Sequence, residues 1–179
     1  IELLDIPNEE NAYYYFKQAL EKLEWPEDKD ELIDTMLDGT EWDQDFVDDL
    51  LNTNAQVFEL FEQGLACERS QILEAPRYEQ AADIDYADCK KLGKLVSLRA
   101  WSLFRHGEEK RAFDEAMKLA ACGQMIQSSR GSLVQYFCGA VIRHACFDCI
   151  IELINDTTLG ATTLRNYSLA LDEYRPNED

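Results

Sequence analysis

Apolar residues recur along this chain at intervals of three and four positions, the spacing of an α-helix, and almost nowhere alternate as in a β-strand. A clear example is the stripe that joins Ala12, Phe16, Ala19 and Leu23. The pattern predicts an all-α protein of about seven helices. The predicted helices cover residues 8–23, 26–38, about 41–64 with a break at 52–54, 84–106, 108–128, 132–155 and 163–174.

Glycines and short polar residues mark the expected helix ends. Gly39 and Gly107 follow periodic segments and are typical of helix C-termini. A third periodic segment is expected to end near Gly64. The segment Thr40-Glu41-Trp42-Asp43 resembles a capping box with Asp in the place of Glu, and Ser132 to Gln135 has the same form. Both segments are expected to begin helices.

The domain organisation follows from length and from one aperiodic stretch. A chain of 179 residues is the size of a single domain and can bury a core without disulfides. Residues 67–83, with Pro76 among them, form the expected loop between an acidic lobe (1–66) and a second lobe (84–175). The helix over 132–155 is apolar on nearly every side, so we expect it at the centre, covered on most of its circumference.

The net charge of −19 is concentrated in one half of the chain. Residues 1–90 carry 25 acids and 6 bases, whereas residues 91–179 carry 11 of each. This acidity argues against binding to nucleic acid or to anionic membrane surfaces and favours partners with basic segments. No apolar run reaches the ~20 residues that would span a bilayer, so no membrane insertion is expected. The candidate partner-binding acids are Glu41, Asp43, Asp45, Asp48 and Asp49.

Cysteine chemistry gives the alternative hypothesis. Six cysteines in a chain of this length do not make a disulfide scaffold, and most lie in apolar helical segments. Cys146 and Cys149 form a Cys-x-x-Cys pair, and His144, Asp148 and Glu152 follow at four-residue spacing. A metal or redox role for Cys146, Cys149 and His144 is therefore the alternative. Burial of these thiols in a helix is the main expectation, and no cofactor is predicted.

The segment from Trp101 to Ala112 resembles the helix–turn–helix unit of tetratricopeptide repeats. Ala100 and Ala112 stand at the small-residue positions where two such helices approach each other, and Gly107 occupies the turn. The resemblance implies an antiparallel helical hairpin over about a fifth of the chain.

The opening segment, Ile6-Pro7-Asn8-Glu9-Glu10-Asn11-Ala12 and the aromatic run after it, is similar to the start of uncharacterised bacterial exported helical proteins. The chain begins at Ile1 rather than Met. The resemblance implies an exported or cell-envelope protein whose signal or anchor preceded this segment, with the cytoplasm as the other location. It implies no chemistry.

These observations favour a non-catalytic interaction or scaffold module that binds a protein or peptide in a groove between helices. No phosphate-binding glycine loop, nucleophile elbow or kinase signature is present, so we predict no catalytic residues and no enzyme activity. The sequence leaves the oligomeric state open.

Overall fold

Eight α-helices make up most of the computed structural model, which describes residues 6–71, 84–129 and 133–174. Those residues contain no β-strand, and the all-α prediction is confirmed. Most of the predicted loop 67–83 lies outside the described residues. The helices are α1 (Ala12–Glu21), α2 (Asp30–Leu37), α3 (Gln44–Thr53), α4 (Ala55–Ala66), α5 (Tyr86–Arg105), α6 (Glu109–Ser128), α7 (Leu133–Asp156) and α8 (Ala161–Asp172).

Helices α5, α6 and α7 pack against one another and form the centre of the fold. Helices α1 and α4 form a second pair, and α4 contacts α6. Helices α2 and α3 lie on α5, and α8 lies on α6 without burying a side chain completely. A single hydrophobic cluster includes side chains from both predicted lobes, and the division into lobes stays a prediction.

Helix α5 is the most deeply covered element. Leu92, Leu95, Val96 and Leu98 are fully buried although they point in several directions around the helix. This burial is possible because α5 has neighbours on every side: α1, α2, α3, α6 and α7.

Helix α7 is packed at the centre, but only on one of its faces. Cys138, Ile142, Cys146 and Leu153 are buried against α5 and α6. The expectation that other helices cover most of its circumference is wrong for the described residues, because its opposite face contains large exposed apolar side chains. An apolar sequence shows that a helix face avoids water but does not show which neighbour covers it.

Two of the predicted glycine helix ends are confirmed. Gly39 has φ +75° and Gly107 has φ +79°, the left-handed region that glycine tolerates best. At Gly107 the chain forms a Schellman motif, in which the Glu108 amide donates to the Leu103 carbonyl at 3.0 Å. This turn joins α5 to α6, and Ala100 and Ala112 are fully buried in the hairpin.

One predicted helix start is wrong. Thr40 does not begin a helix: its hydroxyl donates to the Thr35 carbonyl, and Asp43 is the N-cap of α3. The end expected near Gly64 agrees to within two residues, since α4 ends at Ala66, and Gly64 lies in the last turn, where it allows the Phe16 ring to approach the helix backbone. The Ser132 cap lies outside the described residues. The break at 52–54 is confirmed, because α3 ends at Thr53 and α4 begins at Ala55.

Asn11 connects the start of α1 to the chain that follows α4. Its side-chain Nδ2 donates to the Gln71 carbonyl at 2.7 Å, and its Oδ1 accepts from the Gln71 amide at 3.0 Å. The same Oδ1 accepts from the Tyr13 amide, so Asn11 is also the N-cap of α1. Beside it, the Ala12 amide donates to the Arg69 carbonyl at 2.8 Å.

Candidate functional site

The exposed face of α7 carries a set of large apolar side chains, which we call the α7 surface. Leu133 is 70% exposed, Phe137 52% and Ile151 57%. Each of these side chains leaves on the order of 100 Å² in contact with water, so the set reaches the ~300–600 Å² of the largest patch on a typical monomer. Its members are Leu133, Val134, Tyr136, Phe137, Ile151 and Ile154.

The outward-facing residues of α7 follow a heptad pattern. Starting at Leu133, positions that are exposed or half-buried recur at alternating intervals of four and three residues as far as Ile154. Seven residues occupy these positions: six of them are apolar, and His144 is the polar one. This alternation is the a/d pattern by which one helix packs along another in a coiled coil. The positions are Leu133, Phe137, Ala140, His144, Phe147, Ile151 and Ile154.

A groove of about 430 Å³ runs beside the α7 surface, between α2, α5 and α7. Apolar side chains from all three helices line it, including Leu37, Trp101 and Val141. Ile151 belongs both to this groove and to the α7 surface, so the two features are continuous. We call this groove the α2–α5–α7 groove.

Acidic side chains outnumber the free bases in the α2–α5–α7 groove. Asp38, Asp148 and Glu152 line it together with Lys90. A second base, Lys94, is held by Asp34 at 2.7 Å and by Asp30 at 3.0 Å. Burial lowers the pKa of Lys94, but the hydrogen bonds to Asp34 and Asp30 outweigh it and leave the pKa raised. The charge of Lys94 is therefore already paired with two carboxylates within the protein, and the groove keeps an acidic character.

The five acids that the sequence marks as candidate partner contacts are all exposed, but they lie apart from this groove. Asp43 accepts a hydrogen bond from the Phe46 amide at 3.0 Å as the cap of α3, and Asp48 accepts one from Gln44 at 2.7 Å. Glu41, Asp43, Asp45, Asp48 and Asp49 do not line the groove, and none of them forms an ion pair with another described residue. Their role as a partner-binding surface stays a prediction.

The structure does not assemble the residues of the metal or redox alternative into one site. Cys146 and Cys149 are buried, and His144 is on the outer face of α7, where its Nε2 is 3.5 Å from the Asp148 carboxylate. Cys149 and His144 both line the α2–α5–α7 groove, but Cys146 does not. Burial raises the pKa of both thiols to about 12, so they are protonated at neutral pH. Among the described residues, no three His, Cys, Asp or Glu side chains are arranged to hold a metal ion.

One cysteine, Cys67, should react with a thiol reagent much faster than the other five. All six are free, five are buried, and Cys67 is half-buried near the end of α4. In the native protein we expect Cys67 to react first with Ellman's reagent and the other five at least about 100-fold more slowly, because their sulfur atoms are buried and the reagent reaches them only when the structure opens. All six should react in denaturant. Rapid native labelling of Cys146 or Cys149 would contradict this burial.

Sequence reasoning missed the groove and the α7 surface, although part of the signal was present. In the sequence, His144, Asp148 and Glu152 recur every four residues, and the structure places all three on the side of α7 that borders the groove. The heptad spacing from Leu133 to Ile154 is visible in the sequence and points to helix packing along that face. That Asp38 and Trp101 line the groove could not be predicted from the sequence, because α2 and α5 are distant from α7 along the chain.

Comparison with known proteins gives no identification. In the described part of the chain, no helix has both the length and the apolar character needed to cross a membrane. No protein-family model, no curated protein and no solved structure matches this chain.

Proposed function

We propose that this protein is a non-catalytic helical interaction module that holds a protein or peptide partner in the α2–α5–α7 groove and on the adjoining α7 surface. The observation that carries the proposal is the exposure of large apolar side chains, such as Phe137 and Ile151, on a helix whose other face is packed. Exposed apolar patches of this size on soluble proteins are often functional.

The groove supplies shape and charge in addition to apolar area. Trp101 and Val141 give it an apolar lining, and a partner side chain seated there loses contact with water. Asp38, Asp148 and Glu152 favour partners that carry Lys or Arg and disfavour nucleic acid, whose phosphates they repel. The distribution of charge in the whole chain, with its acidic first half, favours the same class of partner.

The absence of a catalytic role rests on the chemistry of the candidate groups. The Cys146 and Cys149 thiols are protonated and covered, so they are poor nucleophiles and poor metal ligands. His144 is exposed on the outer face of α7 and contacts Asp148. These positions support a structural role for the thiols in the core between α5, α6 and α7.

Selection from a random-peptide library displayed on phage tests the proposal. Enriched peptides should bind the native protein in solution and should bind the Phe137→Glu and Ile151→Glu variants at least tenfold more weakly, because a charge then occupies the apolar contact. Leu169→Glu is the matched control, since Leu169 is 55% exposed but lies on α8. Peptides that bind all three variants equally, or a selection that enriches nothing, would overturn the proposal.

A further inference from the structure

The outer face of α7 has the residue spacing of one helix of a coiled coil. The line of outward-facing a and d positions from Leu133 to Ile154, which we call the seam, covers three heptads, or about 32 Å of helix. The face opposite this seam is already packed on α5 and α6. Geometry therefore leaves room for one more helix, lying along α7 at the shallow angle of about 20° that a/d packing produces.

The single polar position in the seam adds information about the partner. His144 occupies an a position with apolar residues above and below it in the seam. A polar residue at one a position of an otherwise apolar seam fixes the register of the partner helix, at some cost in affinity. The His144 ring is 3.5 Å from the carboxylate of Asp148, one turn away, and both side chains are exposed, so both are accessible to an incoming helix.

Charge distinguishes a different protein from a second copy of this chain as the occupant. Arg143 is the only Lys or Arg residue in α7, and it is buried, with its guanidinium held by Gln127 at 2.6 Å. A second α7 would therefore bring Asp148 and Glu152 to the interface without a Lys or Arg side chain on that helix to pair with them. The net charge of −19 on each copy opposes self-association further.

We propose that the α7 surface binds an amphipathic α-helix of another protein, about three heptads long, with an apolar seam and with Lys or Arg along the flank that faces the α2–α5–α7 groove. This inference rests on the proposed function and adds the conformation and the charge of the partner segment. The seam of the partner packs between Phe137 and Ile151, and its basic flank pairs with Asp148 and Glu152.

Three synthetic peptides of 21 residues test this partner class. The first has Leu and Ile at its a and d positions and Lys on both flanks, the second has the same seam with Glu on both flanks, and the third has the composition of the first in an order without heptads. We expect the basic peptide to bind with a Kd on the order of 10 μM, the acidic peptide at least tenfold more weakly, and the third peptide not to bind. The bound basic peptide should become helical in circular dichroism.

Charge reversal on the protein gives the matched test. Asp148→Lys combined with Glu152→Lys should weaken binding of the basic peptide about tenfold and strengthen binding of the acidic peptide by a similar factor, because the charge that faces the partner is reversed. Asp148 is exposed and Glu152 is half-buried, so we expect the double variant to fold. Ile151→Glu should weaken both peptides, whereas Leu169→Glu should weaken neither. Thermal melting of each variant verifies that it is folded.

The outcomes separate this inference from the proposed function. Equal binding of the acidic and basic peptides, or an extended bound peptide, would overturn the inference, while phage-selected peptides that depend on Ile151 would still support an interaction module. A dimer in sedimentation that Phe137→Glu dissociates would overturn it in favour of a second copy. If no selected or designed peptide binds, both proposals fail.

Discussion

Substituting Gly139 with alanine should lower the free energy of unfolding by about 2 kcal/mol, even though alanine is the better helix former. A Cβ at this position would lie 2.5 Å from the Gly123 carbonyl oxygen on α6 and 2.5 Å from Cγ of Gln127. The gain in helix propensity is about 1 kcal/mol, whereas forcing a methyl group into a packed interface costs about 3 kcal/mol, so the steric cost is larger.

The clash at Gly139 is difficult to relieve because one of its two nearest contacts is a backbone atom. A flexible side chain could turn away, but the Gly123 carbonyl can move only if α6 and α7 separate, and separation would loosen the contacts of the core between them. Equilibrium unfolding in urea measures the effect. Gly160→Ala is the control, since a Cβ there meets nothing within 4 Å, and it should cost less than about 1 kcal/mol. A Gly139→Ala variant as stable as the native protein would show that α6 and α7 are not so closely packed.

The sequence predicts this fold where the signals are local. Gly107 ends α5 because a left-handed residue after a periodic segment is encoded within a few positions, and the structure places it at φ +79°. Thr40 shows the limit of such signals, because Thr40 and Asp43 are both acceptable caps, and in the structure Asp43 is the N-cap of α3. The helices were therefore predictable to within a few residues, but not all of their ends.

The candidate site was less predictable because it depends on which faces meet. The apolar character of α7 predicts a helix that is covered on most of its circumference, but in the structure one face of α7 is exposed. That outcome depends on α5, which other helices surround, and on the close approach of Gly93 to Ala145 and of Gly123 to Gly139. Such approaches join positions far apart in the chain, and the spacing of residues within one helix contains no information about them.

Substituting Asn11 with alanine should lower the free energy of unfolding by about 3 kcal/mol, which is more than the loss expected for Gly139→Ala. Asn11 is fully buried, and its side chain satisfies both the amide and the carbonyl of Gln71 as well as the Tyr13 amide at the start of α1. Removing the side chain leaves buried polar groups without partners, each at a cost of about 1–3 kcal/mol, and removes the cap of the helix.

The effect of Asn11→Ala should also be local, which distinguishes it from a general loss of packing. Residues 67–71 are held to α1 through Asn11 and through the bond from the Ala12 amide to the Arg69 carbonyl. Hydrogen exchange at the Gln71 amide, whose acceptor is Asn11 Oδ1, should therefore accelerate more than exchange in α5. Asn8→Ala is the matched control, because Asn8 is exposed, and it should change stability by less than about 0.5 kcal/mol. If the Gln71 amide stayed protected in Asn11→Ala, the segment after α4 would be held by contacts other than this side chain.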